Sequence, residues 1–491
     1  MNRRRFLKYA GATAAVVGAS AFGVYCSTSK MTSLSYTPVR VINDKVYDIR
    51  VDVEVSNPRK QLLTVQVSLL PVAYEHLPSE AFPKEDPRAT TLQPAGPEKE
   101  ILSTVFSDLK GGREYGLRAV AADSSGMVDE RTSRTNYIRE FENLGAILES
   151  KGVTVIADYY TWYESPGKPN AAWGAQGTQH AHVYMPLLGE YDSADPTVIA
   201  RHIDWATGYG INAFAISWCG ETSTNPNSPG ANPNDLPKLE GAFLQHRMLN
   251  QMKFFVLYEN NDRLKIQNPD DPSEKWVEDL DDPFNRDRLV SDFEYLTEYF
   301  THPSYLRVDG RPVMIFDYMA SFRGDVRGVF RRVRDSVKAD HHTEPYLVND
   351  LAMRAYYPEE IINSSHPHIQ QIVESTDAIG YGTPYCYLCY DLEEPYRLWH
   401  AAAVKYGKDY LPYSMPGFEP SPNVLPNAQP VHRDPEVFRK LITHSIRYAT
   451  RGMVGIKAFN EWYWGHQIEP ATEYGFTYLQ SVRDCAMKLL G

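Results

Sequence analysis

"VTVIADYY", Val153 to Tyr160, is the stretch on which the fold turns. It is an apolar, largely β-branched run that ends in an acid and two aromatics. Apolar side chains at successive positions bury both faces of a strand, which points to a parallel sheet covered by helices. The same form returns as "GINAFAISW" (210–218), "MKFFVLYEN" (252–260), "RPVMIFDY" (311–318), "EPYLVND" (344–350), "TDAIGYG" (376–382), "DYLPYSM" (409–415) and "MVGIKAFNEW" (453–462). Between them lie stretches of helical periodicity such as "DPTVIARHIDWATGYG" and "RDRLVSDFEYLTEYF". Eight strand–helix units predict a closed (β/α)8 TIM barrel over residues 153–491, with its functional mouth at the C-terminal ends of the strands.

Upstream, the period changes from continuous runs to alternation. Tyr47, Ile49, Val51, Val53 and Val55 alternate with polar residues, and Val65, Val67 and Leu69 do the same. Short alternating strands from about 35 to 135 predict a small all-β sandwich of the immunoglobulin/fibronectin kind. "TNYIREFENLGAILESKG" reads as a linker helix over 136–152, stopped by Gly152. Residues 1–30 carry Arg3, Arg4 and Arg5 before Phe6-Leu7-Lys8, and then no charge before Lys30. This is an export pattern of the twin-arginine type. Three fates stay open for it. Cleavage near Ala19-Ser20-Ala21 is one, lipid attachment at Cys26 is another, and retention as an uncleaved membrane anchor is the third. An extracytoplasmic location, with or without a tether, is the expectation.

Composition narrows the partners. The 50 basic and 62 acidic residues leave a net charge of −12, which argues against nucleic acid or an anionic membrane as a ligand. The 33 tyrosines and 8 tryptophans suit stacking on sugar faces, although they also fill cores. Five cysteines are too few for a disulfide scaffold. Cys386 and Cys389 form a lone CxxC, read as a loop or local disulfide, and His180 and His182 have no acids at ligand spacing. No metal and no cofactor are expected.

The acids and aromatics that close the strands should converge. Asp158, Trp218, Glu259, Asp317, Asp350, Tyr381 and Glu461 all fall there, with no phosphate-cradling glycine loop and no GxSxG or HExxH motif. Paired carboxylates with Trp and Tyr are the residue types of glycoside cleavage, in which carboxyls supply the acid and the base.

Four segments add a resemblance. "YYTWYESPG", "MPLLGEYDSADPTVIARHIDWATGYGINAFAISW", "HPSYLRVDGRPVMIFDY" and "FNEWYWGHQIEPATEYGFTYL" are similar, in order, to the barrel of glycoside hydrolase family 99 and its polysaccharide-processing relatives. The best-known members are endo-α-1,2-mannosidases. The family motif resembles Phe-Asn-Glu-Trp-x-Glu-Gly-x-x-Ile-Glu-Pro. Its first glutamate takes a proton from the sugar 2-hydroxyl, and its second protonates the leaving group. Here the first is Glu461, while Trp464 stands in place of the second; Asn460, Trp462, Gly465, Ile468 and Glu469 are kept.

This departure leaves three readings. Another carboxylate supplies the acid, Glu259 first and Asp317 second. Or a conventional carboxylate pair cleaves a different bond. Or the barrel binds a glycan without cleaving it. The expected catalytic residues are Glu461, as base or nucleophile, and Glu259. The expected substrate contacts are Tyr160, Trp162, Trp218, Asp317, Tyr381, Asn460, Trp462, Trp464, His466 and Glu469, with an α-linked glycan or polysaccharide as partner, mannose-containing if the resemblance carries over.

Overall fold

The structure is a computed structural model that describes residues 29–57, 63–96, 99–165, 173, 182–220, 235–266, 277–353, 357–362, 367–380, 391–422 and 429–490. The export segment with Cys26, the residues His180 and Tyr381, the Cys386/Cys389 pair and most of the Asn/Pro-rich loop after the second barrel strand lie outside the described residues. Among the described residues no helix is long and apolar enough to cross a membrane.

The first strands form two antiparallel sheets. Lys30–Ile42, Lys45–Ser56 and Lys99–Phe106 make one; Arg88–Leu92, Thr64–Pro71, Tyr115–Asp123 and Gly126–Arg134 make the other, in that order. The alternation explains the packing. Ile49, Val51, Val53 and Val55 face inward from one sheet and meet Val65, Val67, Leu117 and Ala119 of the other in one apolar core. The first strand starts at Lys30, somewhat before the expected boundary.

The predicted linker helix is shorter than expected, spanning Leu144–Glu149. Before it the chain runs as an extended strap, because its backbone polar groups find tertiary partners. The carbonyl of Ile138 accepts from Gly112 and Arg113, and the amides of Glu140 and Phe141 donate to Asp204. Asn143 then caps the helix through a 2.9 Å bond from the Ala146 amide.

All eight predicted barrel strands form. They are Thr154–Tyr159, Ala213–Trp218, Lys253–Tyr258, Arg311–Phe316, Tyr346–Asn349, Ala378–Gly380, a divided seventh strand, and Met453–Ile456. The division falls at Pro412. Asp409–Leu411 pairs with the sixth strand, and Tyr413–Ser414 pairs with the eighth. Proline has no N–H for a ladder, so the strand breaks there and its second piece closes the barrel. Each closing pair is parallel, ending with Met453–Ile456 against Thr154–Ala157. The helices begin at repeated Asp-Pro steps. Asp195, Asp282 and Asp434 each cap a helix whose first residue is proline, where the missing N–H costs nothing.

The sandwich rests on the first of these helices, Pro196–Gly208. Arg201, almost fully buried there, donates to the Ala81 carbonyl at 2.7 Å and pairs with Glu140 at 2.8 Å. Gly208 has no room for a Cβ, which would lie 2.4 Å from Phe141. The strap and the barrel therefore share one packed seam.

Candidate functional site

Strand ends carry the site. Asp158 closes the first strand, Glu259 follows the third, Asp317 the fourth and Asp350 the fifth; Lys457 to Glu469 follows the eighth. Four of these acids, Asp158, Glu259, Asp317 and Glu461, lie near enough to Tyr160 to act on it. Its hydroxyl pKa is raised well above the usual tyrosine value, by burial first and then by the charges of Glu461, Asp158, Glu259 and Asp317. Trp162 stacks on the Tyr160 ring with centroids 4.6 Å apart.

Glu461 has no exposed surface, and neither of its oxygens has a hydrogen-bond partner of ordinary geometry. Burial pushes its carboxyl up to about 8, and Asp158 adds to the shift. The amides of Trp464 and Tyr463 and the Lys457 ammonium favour the charged form without offsetting that burial. Lys457 is the cation of the mouth: Nζ lies 3.8 Å from Asp158 Oδ2 and 3.9 Å from Asp317 Oδ1. Glu259 is half-buried and accepts a 2.7 Å bond from Ser217 Oγ.

The stretch around Glu461 is held by the loop after the first strand. Asn460 Oδ1 accepts from the Tyr160 amide and its Nδ2 donates to the Tyr160 carbonyl, at 2.8 and 2.9 Å. Glu469 takes three bonds, from His202 Nε2 at 3.0 Å and from Tyr191 Oη and Trp462 Nε1 at 2.8 Å each. Gly465 has a positive φ of 68°, and a Cβ there would lie 2.0 Å from the Glu419 carbonyl oxygen. The loops after strands seven and eight approach that closely only at a glycine.

These contacts place part of the expected substrate-binding set within the protein's own bonding. Asn460, Trp462 and Glu469 spend their polar groups on the protein and form a buried frame beneath the site. Trp218 is also framework: it is buried between Tyr258 and Tyr295, with the Arg263 guanidinium 5.1 Å from its ring. His466 is buried with both ring nitrogens unpartnered, and burial, Lys457 and Arg433 keep it neutral. Trp464 is half-buried at the rim, stacked with Phe418 at 6.2 Å and edge-on to Tyr463 at 5.2 Å. Tyr160, Trp162, Asp317, Glu259 and Glu461 are brought together; Tyr381 lies outside the described residues.

One acid was not singled out from the sequence. Glu278, in the short strand Glu278–Asp279 between the third and fourth barrel strands, is fully buried and accepts from Asn260 Nδ2 at 2.5 Å and Ser321 Oγ at 2.9 Å. Burial, with Asp317 and Asp350 nearby, raises its carboxyl to about 8. Its surroundings "WVEDLDD" hold several acids, and no local pattern separates the buried one. Among the described residues no group of three or more His, Cys, Asp or Glu is placed to hold a metal ion.

Comparison with known proteins fits this geometry. Residues 277–482 match the family model described as glycosyltransferase WbsX. No curated protein matches the chain. Among solved structures, one described as a glycoside hydrolase-like protein is 20% identical, with a TM-score of 0.50, over 68% of this chain and 93% of that one. The GH99 endo-alpha-mannosidase from Bacteroides thetaiotaomicron is 17% identical over 68% of this chain and 97% of its own, with a TM-score of 0.48. A GH2 beta-galacturonidase from Eisenbergiella tayi covers 94% of this chain and 72% of its own, at 11% identity and a TM-score of 0.36. The barrel thus shares its fold with the glycoside hydrolase-like barrel, and its C-terminal part matches the WbsX family model.

Proposed function

We propose that this protein cleaves an α-linked glycan or polysaccharide at the mouth of its barrel, with mannose-containing chains as the first class to test. One observation carries this reading: Glu461, Asp158, Glu259 and Asp317 all act on a single buried tyrosine, Tyr160, which bears the stacked Trp162. Carboxyls in different environments beside aromatic faces are the working parts of glycoside cleavage.

The environments suggest an assignment of roles. Glu461, fully buried, holds its proton at neutral pH and is the donor to the leaving oxygen. As the glycosidic C–O bond breaks, that oxygen keeps the electron pair and takes the proton. Glu259, more exposed, accepts the proton of the attacking water, whose oxygen forms the new bond to the anomeric carbon. This reverses the role that family 99 resemblance implies for Glu461, and it answers the loss of the second glutamate to Trp464. The half-buried Trp464 and Phe418 provide a flat apolar shelf at the rim for a sugar ring.

We further propose that the chain works outside the cytoplasm. Export in wild type that is lost when Arg3 and Arg4 are replaced by Lys would support the twin-arginine route. The test of function is incubation with α-mannans and surface polysaccharides, with product analysis and Glu461→Gln as control. New reducing ends in wild type alone support hydrolysis. A sugar moved to an added acceptor would match the transferase name of the matching family model. A second reading is binding without cleavage, favoured by the complete burial of Glu461. Retention of a glycan with no product in either protein would establish it over the first.

A further inference from the structure

The peptide units on either side of Glu461 are tied to one hydroxyl. Tyr163 Oη donates to the Asn460 carbonyl at 2.8 Å and accepts from the Trp462 amide at 2.9 Å. Residues 460 and 462 flank Glu461, so a single phenol closes a hook around the glutamate's own backbone. Tyr163 is itself fixed. Its ring stacks on Trp173 at 4.2 Å and meets Tyr191 edge-on at 5.7 Å. Its carbonyl accepts from Lys238 Nζ at 2.9 Å, and Lys238 pairs with Glu164 at 3.4 Å. Lys238 comes from the loop after the second strand, Tyr163 from the loop after the first, and Glu461 from the loop after the eighth. A chain of contacts thus runs across three loops to the backbone that carries one carboxyl.

We propose that Tyr163 is a positioning residue for Glu461, holding its carboxyl in the buried place from which it meets substrate. The proposal rests on the glycan-cleaving reading for its catalytic consequence and on the geometry alone for its structural one. A phenol suits the task because one oxygen donates and accepts at once. Burial keeps Tyr163 protonated, so the donor to Asn460 persists across the working pH range. Among the described residues, the groups that act on Glu461 include Lys457, Asp158, Tyr160, Tyr163, Tyr463 and the amides of Tyr463 and Trp464. Among these, Tyr163 alone holds the backbone on both sides of it.

The experiment uses the full chain and the substitution Tyr163→Phe, which keeps the ring stack and removes both bonds. On a substrate that wild type cleaves, kcat should fall roughly 10–100-fold with KM changed less than about threefold, as expected of a displaced catalytic group. In a Glu461→Gln background the same substitution should add almost nothing, because the two act as one unit. A loss confined to KM, or equal losses in both backgrounds, overturns the proposal. A second arm needs no turnover. The Glu461 carboxyl is titrated by its infrared band, identified by subtraction of Glu461→Gln, with wild type turning near 8. In Tyr163→Phe the midpoint should move by about a unit or more toward the ordinary carboxylate range. An unchanged midpoint in a folded variant refutes positioning. If wild type cleaves nothing, the functional reading falls, and the infrared arm still decides the role of Tyr163. If Tyr163→Phe does not fold, Lys238→Met, which frees the Tyr163 carbonyl and keeps the phenol, takes its place with the same readings.

Discussion

Trp462 Nε1 donates to Glu469 Oε2 over 2.8 Å, joining the motif's tryptophan to its last acid out of reach of solvent. The other two donors to that carboxylate, His202 Nε2 and Tyr191 Oη, come from the helix after the first strand and the loop before it. Glu469→Gln presents an amide N–H to groups that are themselves donors. It should cost about 1–3 kcal/mol of stability, since a buried donor is left unpaired. Urea denaturation of both proteins checks this; a loss below about 0.5 kcal/mol would remove Glu469 from the frame.

Glu461→Gln tests the catalytic assignment. The amide fills the same space and carries no ionisable proton, so turnover should fall at least about 100-fold while glycan affinity stays within a few-fold. Wild-type kcat should decline as pH rises through about 8, where the buried acid ionises, and fall again in acid as the base Glu259 takes up a proton. A profile that instead climbs through pH 8 would make Glu461 the base.

Trp464→Glu restores an acid where the family motif has one. It should raise activity on α-1,2-mannosides severalfold if the rim reaches the leaving oxygen, and weaken binding of longer glycans by removing the Phe418–Trp464 stack. Initial rates and isothermal titration on matched oligosaccharides separate the two effects. Unchanged values for both would place residue 464 outside the site.

Glu278 and Glu461 make stability depend on pH. Each has a folded carboxyl pKa raised by burial to about 8 from an unfolded value near 4.5. The folded state binds the extra proton between those values. Their contribution is therefore fully present below about 4.5 and is lost as pH rises through about 8. Glu278→Gln keeps a neutral side chain at all pH values. Its Tm should fall less than that of wild type between pH 5 and 9, read by calorimetry at constant ionic strength. Parallel curves would show that Glu278 titrates normally.

The seam between sandwich and barrel predicts joint unfolding. Arg201 bonds the Ala81 carbonyl and pairs with Glu140, and burial already raises the Glu140 carboxyl against the pull of that guanidinium. Arg201→Met strands these partners and should cost about 3–5 kcal/mol. Fluorescence and circular dichroism should show one coincident transition in wild type; two separated transitions would show a loosely tethered sandwich.

The sequence by itself determined where the strands lie and that the sheet is parallel, because continuous apolar runs such as Val153–Tyr160 are local signals. It also placed Glu461, Glu259 and Asp317 at one mouth, since in a (β/α)8 barrel position along a strand fixes the end at which a residue emerges. It could not show that Asn460, Trp462, Glu469 and Trp218 are framework. Asn460 finds its partner 300 residues away and Glu469 finds Tyr191 at a separation of 278, and residue type alone does not tell a sugar ligand from a buried bond. Closure of the barrel through a strand broken at Pro412 was equally a matter of which neighbours accept each half. Only the tertiary structure decided the protonation of Glu461 and Glu278, because desolvation and nearby carboxylates depend on what packs around a group and not on what precedes it in the chain.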